Sequence, residues 1–367
     1  MYSELTLIFI ILLLFGFILE KLLELLNISY FKKPLNSEFA HYFSAENQQA
    51  NLLYKQSKAR FGLIQSTLGF IFTFLIWKFA GLGFLTQLIT SFTSSEILQT
   101  LLFFGVIALG SSLVSIPFSL YFHFVLEEKF GFNKMTIKVF IADLFKSGLL
   151  ALVLGGGIMA LIVWVYLAFP TSFWWIVWIL ITVVMVFMSA FYAQIILSVF
   201  NKLTELEDGA LKDAIETMAQ KLGFELNRIY VIDGSKRSTK ANAFFTGFGR
   251  QKRIVLYDTL INDLETNEIL AVLAHEIGHY KHRHTIKGMI LGILQTGILL
   301  YFLSLFINPE SLLTLELNRV VAQDDSLTQP AFFLGLLGFG ILFSPISTII
   351  ELVTNAISRK FEYQADA

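Results

Sequence analysis

Seven apolar runs, at residues 5–26, 62–82, 97–120, 147–168, 173–199, 286–307 and 331–353, constrain this chain more than any other feature. Each reaches the roughly 20 residues that a helix needs to cross a hydrocarbon core. Inside a bilayer the backbone has no water to bond, so runs of this length must satisfy their own amides and carbonyls as helices. Composition points the same way. Of 367 residues, 55% are hydrophobic and 15% charged, with a mean hydropathy of +0.68, whereas a soluble domain carries roughly 25% charged residues. The expected fold is mainly α, a polytopic membrane protein with seven transmembrane helices. The first run has no basic segment before it and no small-residue cleavage site after it, so it reads as a retained helix rather than a signal peptide.

Two further features narrow the chemistry. A formal net charge of −1 provides no global basic field, so no nucleic-acid partner is expected. Cysteine is absent, which removes disulfides, thiolate zinc sites and a cysteine nucleophile. Any metal must be held by His and carboxylates. Orientation follows from the distribution of Lys and Arg between loops. Lys32, Lys33, Lys55, Lys58 and Arg60 follow the first run, and residues 83–96 carry no basic residue. Lys129, Lys134 and Lys138 follow the third, residues 169–172 are bare, and Arg319 alone follows the sixth. The long segment after the fifth run is dotted with basic residues. This alternation predicts an N-terminus outside and that long segment on the cytoplasmic side. Gln65, Ser66, Thr67, Ser111, Ser112, Ser115, Gln194, Gln295 and Thr296 lie within the runs. They read either as helix-to-helix hydrogen bonds or as the lining of a water-filled interior.

After Phe200 the composition becomes charged and Gly-punctuated, and residues 201–285 are long enough for a small domain between spans five and six. In "DGALKDAIETMAQKLGF", Leu211, Ile215, Met218 and Leu222 fall at helical spacing, with Asp208 before and Gly223 ending the segment. "RIYVIDGS", "ANAFFTGFG" and "QKRIVLYDTL" read as a small sheet with a hairpin turn at residues 248–251. A further helix is expected from Thr266, with Glu268 in its first turn, through "NEILAVLAHEIGHYKHRH" and straight into the sixth span.

That helix carries the chemistry. His275 and His279 are four residues apart and share a face, so they read either as surface polar residues at the membrane boundary or, given a third ligand, as two imidazoles that one rigid element offers to a tetrahedral zinc. Glu276, beside the first ligand, is free to work on water, which is the H-E-x-x-H pattern. Gly278 admits another backbone at close range. His282 and His284 read as surface polar residues at the membrane boundary. In "NAISRKFEYQADA", Asn355, Arg359, Glu362 and Asp366 recur on one helical face. Glu362 and Asp366, one turn apart, are candidates for a carboxylate ligand and for a second carboxylate that orients a histidine.

"HEIGHYKHRHT" and "NAISRKFEYQADA" resemble the paired signatures of the M48 membrane zinc metalloproteases, in particular the seven-span CAAX prenyl protease type called Ste24. "EEKFGFNK", "FNKLTELEDG" and "GSKRSTKANAFFTG" are similar to that family as well. The resemblance implies one Zn2+ per chain held by His275, His279 and Glu362, with Glu276 as general base, Asp366 behind a ligand, and Asn355 and Arg359 bracing the site. It also implies that Asn242, Ala243 and Phe244 form an edge strand that pairs with the substrate backbone. The fold implied is seven helices enclosing a chamber, plus a small α+β zincin-like insert. Since family chains continue past "ADA" with further helices, residues 355–367 are expected to begin the third-ligand helix of a longer chain.

The expected organisation is spans one to five in residues 1–200, a cytoplasmic catalytic insert at 201–285, spans six and seven at 286–354, and the third-ligand segment at 355–367. The expected activity is zinc-dependent hydrolysis of a peptide bond, with Glu276 taking a proton from water and passing it to the leaving amine. The substrates expected are prenylated CAAX-type C-terminal peptides or, in a bacterium, membrane and translocation-stalled proteins. The alternative is a catalytically inactive transport or scaffold protein with a relic or structural metal site. Partners are a peptide or protein substrate, prenylated or not, and membrane lipid, in a bacterial inner membrane or the endoplasmic reticulum.

Overall fold

The structure, a computed structural model, describes residues 2–30, 44–224, 226–246 and 253–366. Among these, seven helices are long and apolar enough to cross a membrane, one for each expected run. They are α1 (Tyr2–Tyr30), α2 (Ala45–Lys78), α4 (Glu96–Tyr121, continuing in a wider helical turn to Glu127), α5 (Ile137–Ala168), α6 (Phe173–Tyr192), α10 (His284–Phe306) and α12 (Phe332–Asp366). Lys55, Lys58 and Arg60 lie on α2 itself, whereas Lys32 and Lys33 lie outside the described residues. Two short helices, α3 (Gly81–Phe92) and α11 (Leu312–Ala322), lie largely between the apolar runs. Both are too short to span a bilayer, so a search for membrane-length apolar runs passes over them.

The chain divides into two compact units. The first comprises Met1–Leu126, Met159–Pro170 and Phe302–Val353. Its core gathers Phe9, Trp77, Ile89, Phe103, Val320, Val321 and Phe333, so α3 packs against it by one face, through Gly83, Thr86 and Ile89, and α11 is largely buried in it. The Trp77 indole N–H donates to the Val320 carbonyl at 3.0 Å. Asn318, fully buried, donates to the Thr314 carbonyl and accepts from the Ala331 N–H, so its amide is satisfied at both ends.

The second unit comprises Glu127–Ile158, Thr171–Tyr301 and Thr354–Ala367. It holds a four-stranded sheet of β1 (Leu203–Glu205), β2 (Arg228–Ile232), β3 (Ala243–Thr246) and β4 (Arg253–Tyr257), in the order β1-β2-β4-β3. β2 and β4 are parallel, and the other pairs antiparallel. Three strands sit in the runs where the sequence places them, and the three-residue β1 was not expected. The expected turn at 248–251 lies outside the described residues. Against the sheet lie α7 (Ala210–Lys221), α8 (Asp258–Asp263) and α9 (Thr266–Lys281), burying Ile215, Ile254, Leu256, Leu260, Ile269 and Leu273 together. Gly223, at φ +66°, ends the α7 region in a left-handed conformation that suits glycine. Glu265 and Glu268 close a capping box at the start of α9.

Two expectations about the helices are corrected. First, α9 does not run straight into the sixth span: it stops at Lys281, Arg283 takes the left-handed conformation at φ +56°, and α10 starts afresh at His284. Second, residues 355–366 begin no new helix but are the unbroken end of α12.

Candidate metal centre and substrate cleft

The buried stripe of α9, Ile269, Leu273 and Ile277, faces the insert core at helical spacing. His275, Glu276 and His279 are therefore carried on the remaining surface of the helix. The end of α12 crosses α9 at Gly278. A Cβ built on Gly278 would lie 2.7 Å from the Ala365 carbonyl oxygen, so only glycine permits this approach. Glu362 and Asp366, flanking Ala365, are thereby delivered to the two histidines.

The distances are short and mutually consistent. Glu362 Oε2 lies 3.4 Å from His275 Nε2 and 3.5 Å from His279 Nε2, and the two Nε2 atoms are 3.2 Å apart. Asp366 Oδ1 lies 2.8 Å from His275 Nδ1. A carboxylate accepts, so the His275 Nδ1 is the protonated nitrogen and its Nε2 presents a lone pair to the centre. Two imidazole lone pairs and a carboxylate oxygen then converge, an arrangement that a cation satisfies. Tetrahedral coordination at roughly 2.0–2.1 Å gives donor separations of roughly 3.3–3.4 Å, which the observed 3.2, 3.4 and 3.5 Å bracket. Among the described residues three donors converge, which leaves a fourth position open, as in catalytic rather than structural sites.

Glu276 stands half-buried beside this triad. Burial pushes its carboxyl above the usual range, His279 and His275 pull it back down, and Glu362 pushes it up. It lines a cavity of about 880 Å³ together with His279, Tyr280, Phe244, Phe245, Thr246 and the Met188–Tyr192 stretch of α6. The base, one ligand and strand β3 thus border the same space. Phe224 locks β3 to α9, with its ring 4.8 Å from Phe245 and 4.9 Å from Tyr280.

β3 is an edge strand, with β4 as its strand neighbour among the described residues. Tyr257 N–H donates to the Asn242 carbonyl, and Ala243 pairs with Leu256. By the alternation of an antiparallel ladder, Phe244 and Thr246 turn their backbone groups toward β4, and Ala243 and Phe245 turn theirs outward. The expected residues Asn242, Ala243 and Phe244 therefore differ in what they offer. The side chain of Ala243 is buried at 3% exposure and only its backbone faces out. Asn242 is exposed, and its side-chain oxygen accepts the Ala243 N–H at 2.9 Å.

The structure brings His275, His279, Glu362 and Asp366 together, and leaves Asn355 and Arg359 exposed. Among the described residues, no hydrogen bond or ion pair joins those two to the other four. Sequence reasoning assigned no role to the segment leading into β3, which is heavily tied. Arg237 makes a forked pair with Asp143 at 2.7 and 2.9 Å, and reaches Asn201 Oδ1 and the Phe200 carbonyl. Lys240 reaches the buried Glu127 at 2.7 Å, and Asn133 forms a bridge with Ser238. The "EEKFGFNK" segment thus acts as a splint for the approach to the edge strand.

Residues 24–202 match the N-terminal region of CAAX prenyl proteases, described as five membrane helices, and residues 205–367 match peptidase family M48. A CAAX prenyl protease 1 homolog from Oryza sativa is 32% identical over 381 residues, covering 100% of this chain and 85% of that one. The chain belongs to peptidase family M48. The Homo sapiens CAAX prenyl protease 1 homolog is 32% identical over 90% of this chain and 77% of its own. CAAX prenyl protease 1 of Saccharomyces cerevisiae is 42% identical over 74% of this chain, and the match spans 62% of that protein's length. The crystal structure of S. mikatae Ste24p superposes with a TM-score of 0.87 at 33% identity, covering 98% of this chain and 86% of that one. With its seven apolar helices this M48 member is an integral, multi-pass membrane protein. Family membership implies a metal cofactor, and the three converging donors fit one.

Proposed function

We propose that this M48 protein is a zinc-dependent membrane endopeptidase that cleaves CAAX-type C-terminal peptides, with its catalytic insert on the cytoplasmic side. The convergence of His275 Nε2, His279 Nε2 and Glu362 Oε2 beside Glu276 carries the reading. The substrate class is drawn from the relatives, which are named CAAX prenyl proteases. The cytoplasmic placement rests on the alternation of basic and bare loops.

His275, His279 and Glu362 would hold the zinc, and Asp366 would keep the His275 ring turned toward it. Zinc, when bound, polarises the scissile carbonyl and lowers the pKa of water toward about 7. Glu276 accepts the proton of the attacking water and delivers it to the departing amide nitrogen. The outward carbonyl of Ala243, whose N–H is taken by Asn242 Oδ1, and the outward backbone groups of Phe245 hold the substrate extended across the cleft, with main-chain bonds that are indifferent to most side chains. Phe244, Phe245 and Met188 supply apolar contact on the cavity wall.

The test is cleavage by purified full-length protein of one peptide with and without a farnesyl group, using Glu276→Gln as the blank. Cleavage of the farnesylated form alone supports the CAAX reading. Equal cleavage of both replaces it with a general membrane peptidase, and Glu276-independent cleavage overturns the enzyme assignment.

A further inference from the structure

His284 is the first residue of α10, and it is nearly fully buried, at 5% exposure. Its ring lies flat on Phe361, with centroids 4.2 Å apart and planes 9° apart. Its edge is committed on both sides: Nδ1 is 3.0 Å from His279 Nδ1, and Nε2 is 3.0 Å from Gln364 Oε1. On one continuous helix, residues five apart point roughly 140° away from each other. The left-handed turn at Arg283 is what brings His284 back beside His279. A non-glycine residue held in that conformation is strained, and such strain gathers at functional sites.

The direction of the hydrogen bonds follows from the Gln364 end. An amide oxygen only accepts, so His284 Nε2–H is the donor there, and in a neutral imidazole the other nitrogen is then an acceptor. His284 Nδ1 therefore accepts from His279 Nδ1–H. The His279 Nε2 is left with its lone pair directed at His275 Nε2 and Glu362. The second nitrogen of a metal-ligating histidine needs such a partner to fix the ring and its tautomer.

We propose that His284 and Gln364 are positioning residues for His279, forming a neutral relay that does for the second histidine what Asp366 does for the first. This rests on the reading that His275, His279 and Glu362 hold a metal. The two ligands are then held differently, His275 against an anionic carboxylate and His279 against a neutral imidazole and amide. Asp366, which holds His275 directly, and Gln364, which holds His279 through His284 of α10, both lie at the end of α12 beside Glu362, so that helix contributes to all three donors.

The test is zinc affinity, measured on purified full-length protein by competition with a chromophoric chelator, with thermal unfolding of each zinc-free variant as a folding control. His284→Phe keeps a ring for Phe361 to stack on but has no acceptor, and its zinc Kd should rise by about 10- to 100-fold. His284→Asn returns an oxygen near the Nδ1 position and should recover part of that loss. Gln364→Leu should weaken zinc binding, and the His284→Phe/Gln364→Leu double variant should bind no more weakly than His284→Phe alone, because Gln364 acts through His284. Wild-type affinity in His284→Phe overturns the proposal, as do losses that multiply in the double variant. If His284→Phe does not fold, Gln364→Leu decides: weakened binding supports the relay, and unchanged binding overturns it. Glu362→Gln separates the two levels. If it leaves zinc binding unchanged, the metal site itself is misassigned. If it abolishes binding while the relay variants do not weaken it, only the relay fails.

Discussion

Gly278→Ala tests whether the crossing of α9 and α12 builds the site. A Cβ at that position would sit 2.7 Å from the Ala365 carbonyl oxygen and 3.0 Å from its Cα. Both are backbone atoms, so no side chain can swing aside. Restoring an ordinary 3.4 Å contact moves the end of α12 by about 0.7 Å, beyond the roughly 0.5 Å within which a working constellation must be held. Glu362 and Asp366 flank Ala365 and move with it. Overpacking of this kind costs about 1–3 kcal/mol, offset by up to about 1 kcal/mol because alanine is the better helix former. The variant should therefore remain folded, with a Tm only a few degrees lower, while kcat/KM falls by about 100-fold and zinc binds more weakly. Gly288→Ala is the control, since a Cβ there meets nothing within 4 Å. Assays of peptide cleavage, chelator competition and thermal unfolding on both variants decide the matter. If Gly278→Ala keeps wild-type kcat/KM and zinc affinity, the close approach at Ala365 is not what positions the carboxylates.

Three other outcomes follow from the same geometry. Asp366→Asn removes the anionic acceptor from His275 Nδ1 and should raise the zinc Kd by about 10- to 100-fold, read by chelator competition. Arg237→Lys keeps the charge but cannot fork onto Asp143 while reaching Asn201 and Phe200, so stability should fall by about 1–3 kcal/mol in detergent unfolding. The KM should rise as well, because the approach to β3 loosens. A substrate peptide N-methylated at alternate residues should be cleaved poorly in one phase of the alternation and normally in the other, since Ala243 and Phe245 present the outward backbone groups. Equal cleavage of both phases removes strand pairing from the account.

The parts legible in the sequence were those with a periodicity or a length threshold. The seven spans announce themselves by apolar length, and His275, Glu276 and His279 by their spacing on one helix face. Glu362 and Asp366 share a face by their offsets, and the sequence could raise them as candidates. What it could not show is that α12 crosses α9 at Gly278, which depends on packing between segments far apart in the chain. His284 looks like a surface residue in the sequence because its partners are unreadable locally. His279 is brought beside it by a left-handed Arg283, a conformation arginine rarely adopts, and Gln364 lies 80 residues away. The helices α3 and α11 are shorter than a bilayer span, so apolar length does not mark them, and the stripe Gly83, Thr86 and Ile89 by which α3 packs is too small and polar to stand out in the sequence. The splint of Glu127, Asp143, Arg237 and Lys240 was invisible for the reason that makes it effective: its ion pairs join residues about a hundred positions apart.

The most direct measurement is zinc content and peptide cleavage of Glu276→Gln beside wild type, on full-length protein purified from membranes. Glu276 lies outside the donor set of His275, His279 and Glu362, so the variant should hold one zinc per chain as wild type does. Loss of the proton carrier should lower cleavage by about a hundred- to ten-thousand-fold. Zinc retained with cleavage undiminished would contradict the assignment of Glu276 as the base, and with it the mechanism built on this site.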